Sequence, residues 1–252
     1  MSVRKSLLWV FCLFLAIPLR AESVNVAAAS DLSFALQEVI QQFEHDTGNQ
    51  VHLTLGSSGN FYAQIVNGAP FDVFLSADME YPKQLEEKGY AVGGSTFAYG
   101  VGRIAIWVPS RSTLDIEKLG IRVLLDSSIR KVAIANPAHA PYGRAAVAAL
   151  KKAGLYDSVK SKLVLGENIS QAAQFVESGA ADAGIIAVSI AFSAPMRETG
   201  RYWVIPADMH PPLEQGAVLL RHAGMSGKAF HQWLRRPEAQ RILQKYGFGG
   251  FR

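Results

Sequence analysis

An α/β chain in two lobes is predicted by three observations. Strand-like runs with period-two alternation take turns with runs of helical period along almost the whole length. Four of the strand-to-helix joints carry hydroxyl, amide or glycine residues, two in each half of the sequence. Finally, an apolar content of 49% over 252 residues supplies one large core or two modest ones.

The segment 1–21 stands apart from that fold. Arg4 and Lys5 precede the apolar run 7–19 and the small residue Ala21 ends it, the layout of a secretory signal peptide cleaved after Ala21. The run, about 13 residues, is too short for a membrane span, which takes roughly 20. Cys12, the only cysteine, would leave with it, so disulfides, cysteine metal sites and cysteine nucleophiles are excluded from the mature chain. Loss of Arg4, Lys5 and Arg20 takes 25 basic residues to 22 against 21 acidic ones, so the net charge falls from +4 to +1. No stretch of the remainder concentrates Lys and Arg with interleaved aromatics, which argues against nucleic acid as a partner.

The first joint is Ala27-Ala28-Ala29-Ser30-Asp31-Leu32. Val24 and Val26 alternate with polar neighbours as a strand, and Leu32, Leu36, Val39, Ile40 and Phe43 recur at helical spacing up to Gly48. The second joint follows the strand Val51, Leu53, Leu55: Gly56-Ser57-Ser58-Gly59-Asn60 opens a helix that Asn67-Gly68 stops, with Ser57 or Ser58 as its cap. Residues 71–78 read as a buried strand ending in Asp78, followed by a polar helix to Gly89. Residues 101–108 read as one long apolar strand, with a crossover between lobes near 100–103.

The third joint follows the strand 131–135, where 136–143 leads into an Ala-rich helix with Pro141 at its entrance. The fourth follows Leu163-Val164-Leu165, with Asn168 as natural N-cap. Residues 183–188 read as a central strand and 202–206 as the return crossing; the strand 216–220 and the terminal helices then pack back on the first lobe. The boundaries are 22–101 plus 205–252 for lobe 1 and 102–204 for lobe 2. First-turn N–H groups have no partner inside a helix, so four such joints meeting in the cleft between lobes make an anion site.

The stretches Ala28-Ala29-Ser30, Gly56-Ser57-Ser58-Gly59, Gly68-Ala69-Pro70-Phe71-Asp72-Val73-Phe74-Leu75-Ser76-Ala77-Asp78, Asn136-Pro137 with Pro141-Tyr142-Gly143, and Gly166-Glu167-Asn168-Ile169-Ser170-Gln171 together resemble the periplasmic molybdate-binding proteins of ABC importers, within the type II solute-binding fold. The resemblance implies two lobes, each a mixed sheet flanked by helices, with the ligand in the cleft between them. It implies a binding protein and not an enzyme, located in the periplasm, monomeric, without cofactor, and partnered by a membrane permease. The tetrahedral oxyanion, molybdate or tungstate, would be held by the Ser30 and Ser58 hydroxyls and by backbone N–H groups of Ser58, Tyr142 and Ile169. Some members add a tyrosine hydroxyl from the strand where Ala187 stands here, and the Tyr142 hydroxyl is expected to replace it. Asp31, a repulsive neighbour for a dianion, is expected to cap the first helix.

Donors without formal charge suit molybdate, whose oxygens all accept. Phosphate keeps a proton near neutral pH, and burying it without an acceptor costs about 1–3 kcal/mol. Sulfate must be rejected by cavity size, and nothing in the sequence excludes tungstate.

The alternatives are a binder of another oxyanion, a binder of a small organic anion, and a serine hydrolase. An organic acid would call for an arginine clamp, for which Arg144 is the only candidate beside a joint, expected to turn away from the cleft. For the hydrolase, Gly56-Ser57-Ser58-Gly59 lacks the Gly-x-Ser-x-Gly elbow. Histidines 45, 52, 139, 210, 222 and 231 show no metal-ligand spacing, and His139 is expected at the rim of the site. Asp72 and Asp78 are expected to bond loop N–H groups.

Overall fold

The computed structural model describes residues 22–249, so the segment read as a signal peptide lies outside the described residues. In chain order the strands are β1 (Ser23–Ala29), β2 (Gln50–Gly56), β3 (Val73–Ser76), β4 (Phe97–Gly102), β5 (Ile104–Pro109), β6 (Val132–Ala135), β7 (Leu163–Gly166), β8 (Ala183–Ala187), β9 (Gly200–Val204) and β10 (Leu213–Leu219). They form two five-stranded sheets, ordered β2-β1-β3-β10-β4 and β7-β6-β8-β5-β9. In the first sheet β2, β1 and β3 are parallel and β10 runs antiparallel to both β3 and β4. The second repeats the plan, with β7, β6 and β8 parallel and β5 antiparallel to β8 and β9. Both sheets are therefore mixed.

Residues 101–108 do not form the single strand that their apolar run suggests. β4 ends at Gly102 and β5 begins at Ile104. On one side of Arg103, Val101 exchanges backbone hydrogen bonds with Gly249; on the other, Ile104 pairs with Ala187 of β8. The run is apolar on either side of the exposed Arg103 because the two stretches belong to different sheets.

Helices cover both faces of the first sheet. On one face Leu36, Val39 and Phe43 of the helix Ser33–Thr47 pack with Phe230 and Trp233 of the helix Met225–Trp233 and Leu243 of the helix Pro237–Lys245. Phe43 meets Phe230 edge-on at 5.0 Å, so the terminal helices close over the first sheet. On the other face Phe61, Ile65 and Leu85 pack on Phe74 of β3. The core of the second sheet, built on β5, β6 and β8, extends to Ala29 and Ala77 at the ends of β1 and β3. The two sheets are thus in contact at the ends where the joints lie.

Candidate functional site

In both sheets the parallel strands deliver their carboxyl ends to the same crevice, the place where α/β sheets bind ligands. There Ser30, Asp31 and Ser58 from the first sheet face Tyr142, Asn168 and Ile169 from the second around a cavity of about 10 Å3. Sites for drug-sized ligands run to roughly 300–1,000 Å3, whereas this one has room for about a single water. A larger groove, about 520 Å3, shares Ser30 and Asn168 with it. All four residues carried over from the resemblance, Ser30, Ser58, Tyr142 and Ile169, line the small cavity.

Local chemistry leaves their donors available. Of the two candidate caps, Ser57 accepts from Asn60 N at 3.4 Å, which puts Ser58 at the first position of its helix. Ser58 Oγ accepts from Ala77 N at 2.9 Å and keeps its own proton to give. Asn168 caps the helix Ile169–Glu177 by accepting from Gln171 N at 3.0 Å, leaving Ile169 N–H in the unpartnered first turn. Pro141 occupies the first position of the helix Pro141–Lys152, so Tyr142 N–H is its first donor. Ser30 Oγ donates to Asn168 Oδ1 at 3.1 Å across the cleft. An anion can take that proton without orphaning Asn168, whose oxygen retains Gln171 N.

Gly143 sets the approach of the Pro141 helix to β6. A Cβ there would lie 2.2 Å from Ala135 O and 2.8 Å from Pro137 N, both backbone atoms that cannot swing aside. Gly143→Ala is expected to cost about 1–3 kcal/mol of stability by overpacking and to displace Tyr142 N–H; urea unfolding measures the first and ligand titration the second.

Two expectations are overturned. The Tyr142 hydroxyl gives its single proton to Asp31 Oδ2 at 2.9 Å, so it does not replace the donor missing at Ala187. Asp31 does not cap the first helix: Ser30–Leu32 is a 3-10 turn with no side-chain cap, and the carboxyl turns inward. Gln215 of β10 donates to Asp31 Oδ2 at 2.8 Å and to the Tyr142 oxygen at 2.9 Å, while Tyr99 donates to Gln215 Oε1 at 2.7 Å. Burial pushes the Asp31 carboxyl up to about 7, against the lowering effect of the Gln215 and Tyr142 bonds, and burial raises the Tyr142 phenol well above its usual range. A carboxyl group in the lining also means that the cavity is not made of donors alone.

Asp72 and Asp78 do bond loop N–H groups: Asp72 accepts from Asn25 N at 2.7 Å, and Asp78 from Tyr81 N at 3.1 Å. Arg144 does not line the ion cavity; its guanidinium reaches Asp78 Oδ2 at 2.6 Å. His139 stands at the rim, with Nδ1 2.7 Å from Ser57 Oγ and Nε2 3.6 Å from Glu167 Oε2. That row resembles a catalytic triad, but Ser57 Oγ also caps its helix and lies 3.1 Å from His139 O, so it works as a strut across the cleft. Among the described residues no group of three or more His, Cys, Asp or Glu side chains is placed to hold a metal cation.

Gln215 and Tyr99 escaped the sequence reading. The available signal was a Gln within an apolar strand, fully buried here, because buried amides need partners.

The sequence matches the family described as bacterial extracellular solute-binding protein over residues 24–249. It is 39% identical over 237 residues to the molybdate-binding protein ModA of Azotobacter vinelandii, covering 93% of each chain. To the molybdate-binding protein ModA of Rhodobacter capsulatus it is 40% identical over 236 residues, covering 93% of this chain and 91% of that one. The solved structure of the Azotobacter vinelandii periplasmic molybdate-binding protein superposes with a TM-score of 0.84 at 34% identity, covering 91% of this chain and 100% of that one. These relatives are binding proteins, not enzymes, and they share the two-lobed architecture. With two mixed sheets, a cleft between them and a match along nearly the whole described chain, this protein belongs to the bacterial extracellular solute-binding proteins, in the family of the molybdate-binding proteins.

Proposed function

We propose that the chain captures molybdate, and tungstate with it, in the periplasm and delivers it to the permease of an ABC importer. Ser30 and Ser58 hydroxyls and the N–H groups of Ser58, Tyr142 and Ile169 hold the oxyanion; residues 1–21 carry the chain across the membrane and are removed. Lobe 1 comprises 22–101 and 205–252, lobe 2 comprises 102–204, and the protein acts as a monomer.

One observation carries this reading: uncharged donors at four joints, drawn from both sheets, converge on a single small cavity. Donors from both sides must reach one ion, so binding favours the closed arrangement by hinge motion. Arg144 is engaged by Asp78, which leaves no arginine clamp for an organic carboxylate. Asp31 gives the second reading, a proton-bearing oxyanion such as phosphate, its one specific support: when ionised it is an acceptor in the lining.

Thermal unfolding of the chain from Glu22 onward with each anion separates the readings. A ligand at about 1,000 times its Kd adds roughly 4 kcal/mol, a rise of about 8–16 °C for a chain of this length. Molybdate and tungstate are expected to give that rise and sulfate and phosphate none. A rise with phosphate alone favours the second reading, and no rise with any of the four defeats both.

A further inference from the structure

Arg144 is the strongest cationic contact across the cleft, and the capture mechanism above does not use it. We propose that Arg144 is a positioning residue for capture, whose pair with Asp78 holds the Pro141 helix against the first lobe and sets how long the ion stays bound. The proposal rests on the reading of the site as an oxyanion site.

Arg144 lies one turn into the helix that presents Tyr142, and Asp78 in the loop after β3. The pair is anchored at its Asp78 end, where Oδ1 accepts from Tyr81 N and from Ser76 Oγ, each at 3.1 Å. The guanidinium also sits 5.7 Å from the centre of the Tyr81 ring. Its neighbour on the same rim is a second cross-cleft bond, Gly59 N to His139 O at 2.9 Å. Asp78 is 16% exposed and Arg144 39%, so water screens this pair only in part.

The opposite end of the cleft is held differently. Tyr142 OH packs on Gly102, beside the crossover at Arg103, where a Cβ would lie 2.3 Å from that oxygen. Groups beside a crossover move little when lobes part, and neither Arg144 nor Asp78 bonds to one. The rim pair therefore exists in the closed form and is lost on opening. Neither member lines the ion cavity, so the pair acts through the closed population, which scales the apparent affinity.

The test compares wild type, Arg144→Gln, Asp78→Asn and the charge-keeping variant Arg144→Lys. Molybdate release is followed by stopped-flow tryptophan fluorescence, and the ligand-free lobe distance by paired spin labels at Glu87→Cys and Lys151→Cys, both exposed positions. Arg144→Gln and Asp78→Asn should each release molybdate roughly 5–30-fold faster, as a half-buried charge pair implies, with association unchanged; raised salt should narrow the gap, and Arg144→Lys, which keeps the charge, should release more slowly than Arg144→Gln. In the ligand-free chain Arg144→Gln should shift the label distances toward the open form. Release by Arg144→Gln at the wild-type rate, or release by Arg144→Lys as fast as by Arg144→Gln, overturns the proposal. Wild type that binds no molybdate overturns the oxyanion reading instead, and the ligand-free distances still decide on the latch: unchanged by Arg144→Gln, they refute it.

Discussion

Asp31→Asn should make the chain more stable at alkaline pH, with a gain about 2–3 kcal/mol larger at pH 8 than at pH 5. The carboxyl is buried, and its native pKa of about 7 lies well above the ordinary 3.8. Between those values the native state binds a proton that the unfolded state has released, so stability falls as pH rises through the interval and is lowest once the native carboxylate ionises. An asparagine removes the charge while its carbonyl oxygen still accepts from Tyr142 OH and Gln215 Nε2. The variant's stability should therefore lose the acid-side slope that Asp31 gives wild type. Urea unfolding at pH 5, 6, 7 and 8 measures this directly. Parallel curves for the two proteins would mean that Asp31 is paired or solvated well enough to stay charged.

Ser58→Ala should weaken molybdate binding roughly 10–150-fold, the loss of one charge-assisted hydrogen bond of about 1.5–3 kcal/mol. It also takes the acceptor from the buried N–H of Ala77, so the ligand-free protein should lose about 1–3 kcal/mol. Ser57→Ala is the comparison: it removes the cap on the same helix, worth about 1 kcal/mol, and the strut to His139, but none of the proposed ligand donors. Calorimetric titration of both variants separates ligation from folding. Equal affinities for Ser58→Ala and wild type would remove the Ser58 hydroxyl from the ligand set and leave the first lobe with the Ser30 hydroxyl and the N–H at position 58.

These effects differ in how far they could be foreseen. Ser57, Ser58, Pro141 and Asn168 announce their roles locally, because a cap or a helix-entry proline acts on residues within three or four positions. The glycines that end helices do the same: Gly48, Gly68, Gly154 and Gly179 all adopt positive φ. The residues 101–108 misled because period and hydropathy report burial and not which sheet does the burying.

Asp31 shows the limit most plainly. Next to Ser30 at a helix start, its position suggested a cap, yet its partners Tyr142 and Gln215 lie 111 and 184 residues away in sequence. No local rule reaches that distance. Arg144 and Asp78, 66 residues apart, are another such pair.

The sequence by itself determined the alternation of strands and helices, the four joints and the supply of donors at them, since each depends on side-chain period, backbone geometry and capping within a few residues. Only the tertiary structure decided that Tyr142 OH is spent on Asp31, that this carboxyl shares the cavity with the donors, and that Arg144 pairs with Asp78. Those outcomes depend on which surfaces meet when two sheets close on each other, and on the desolvation that follows.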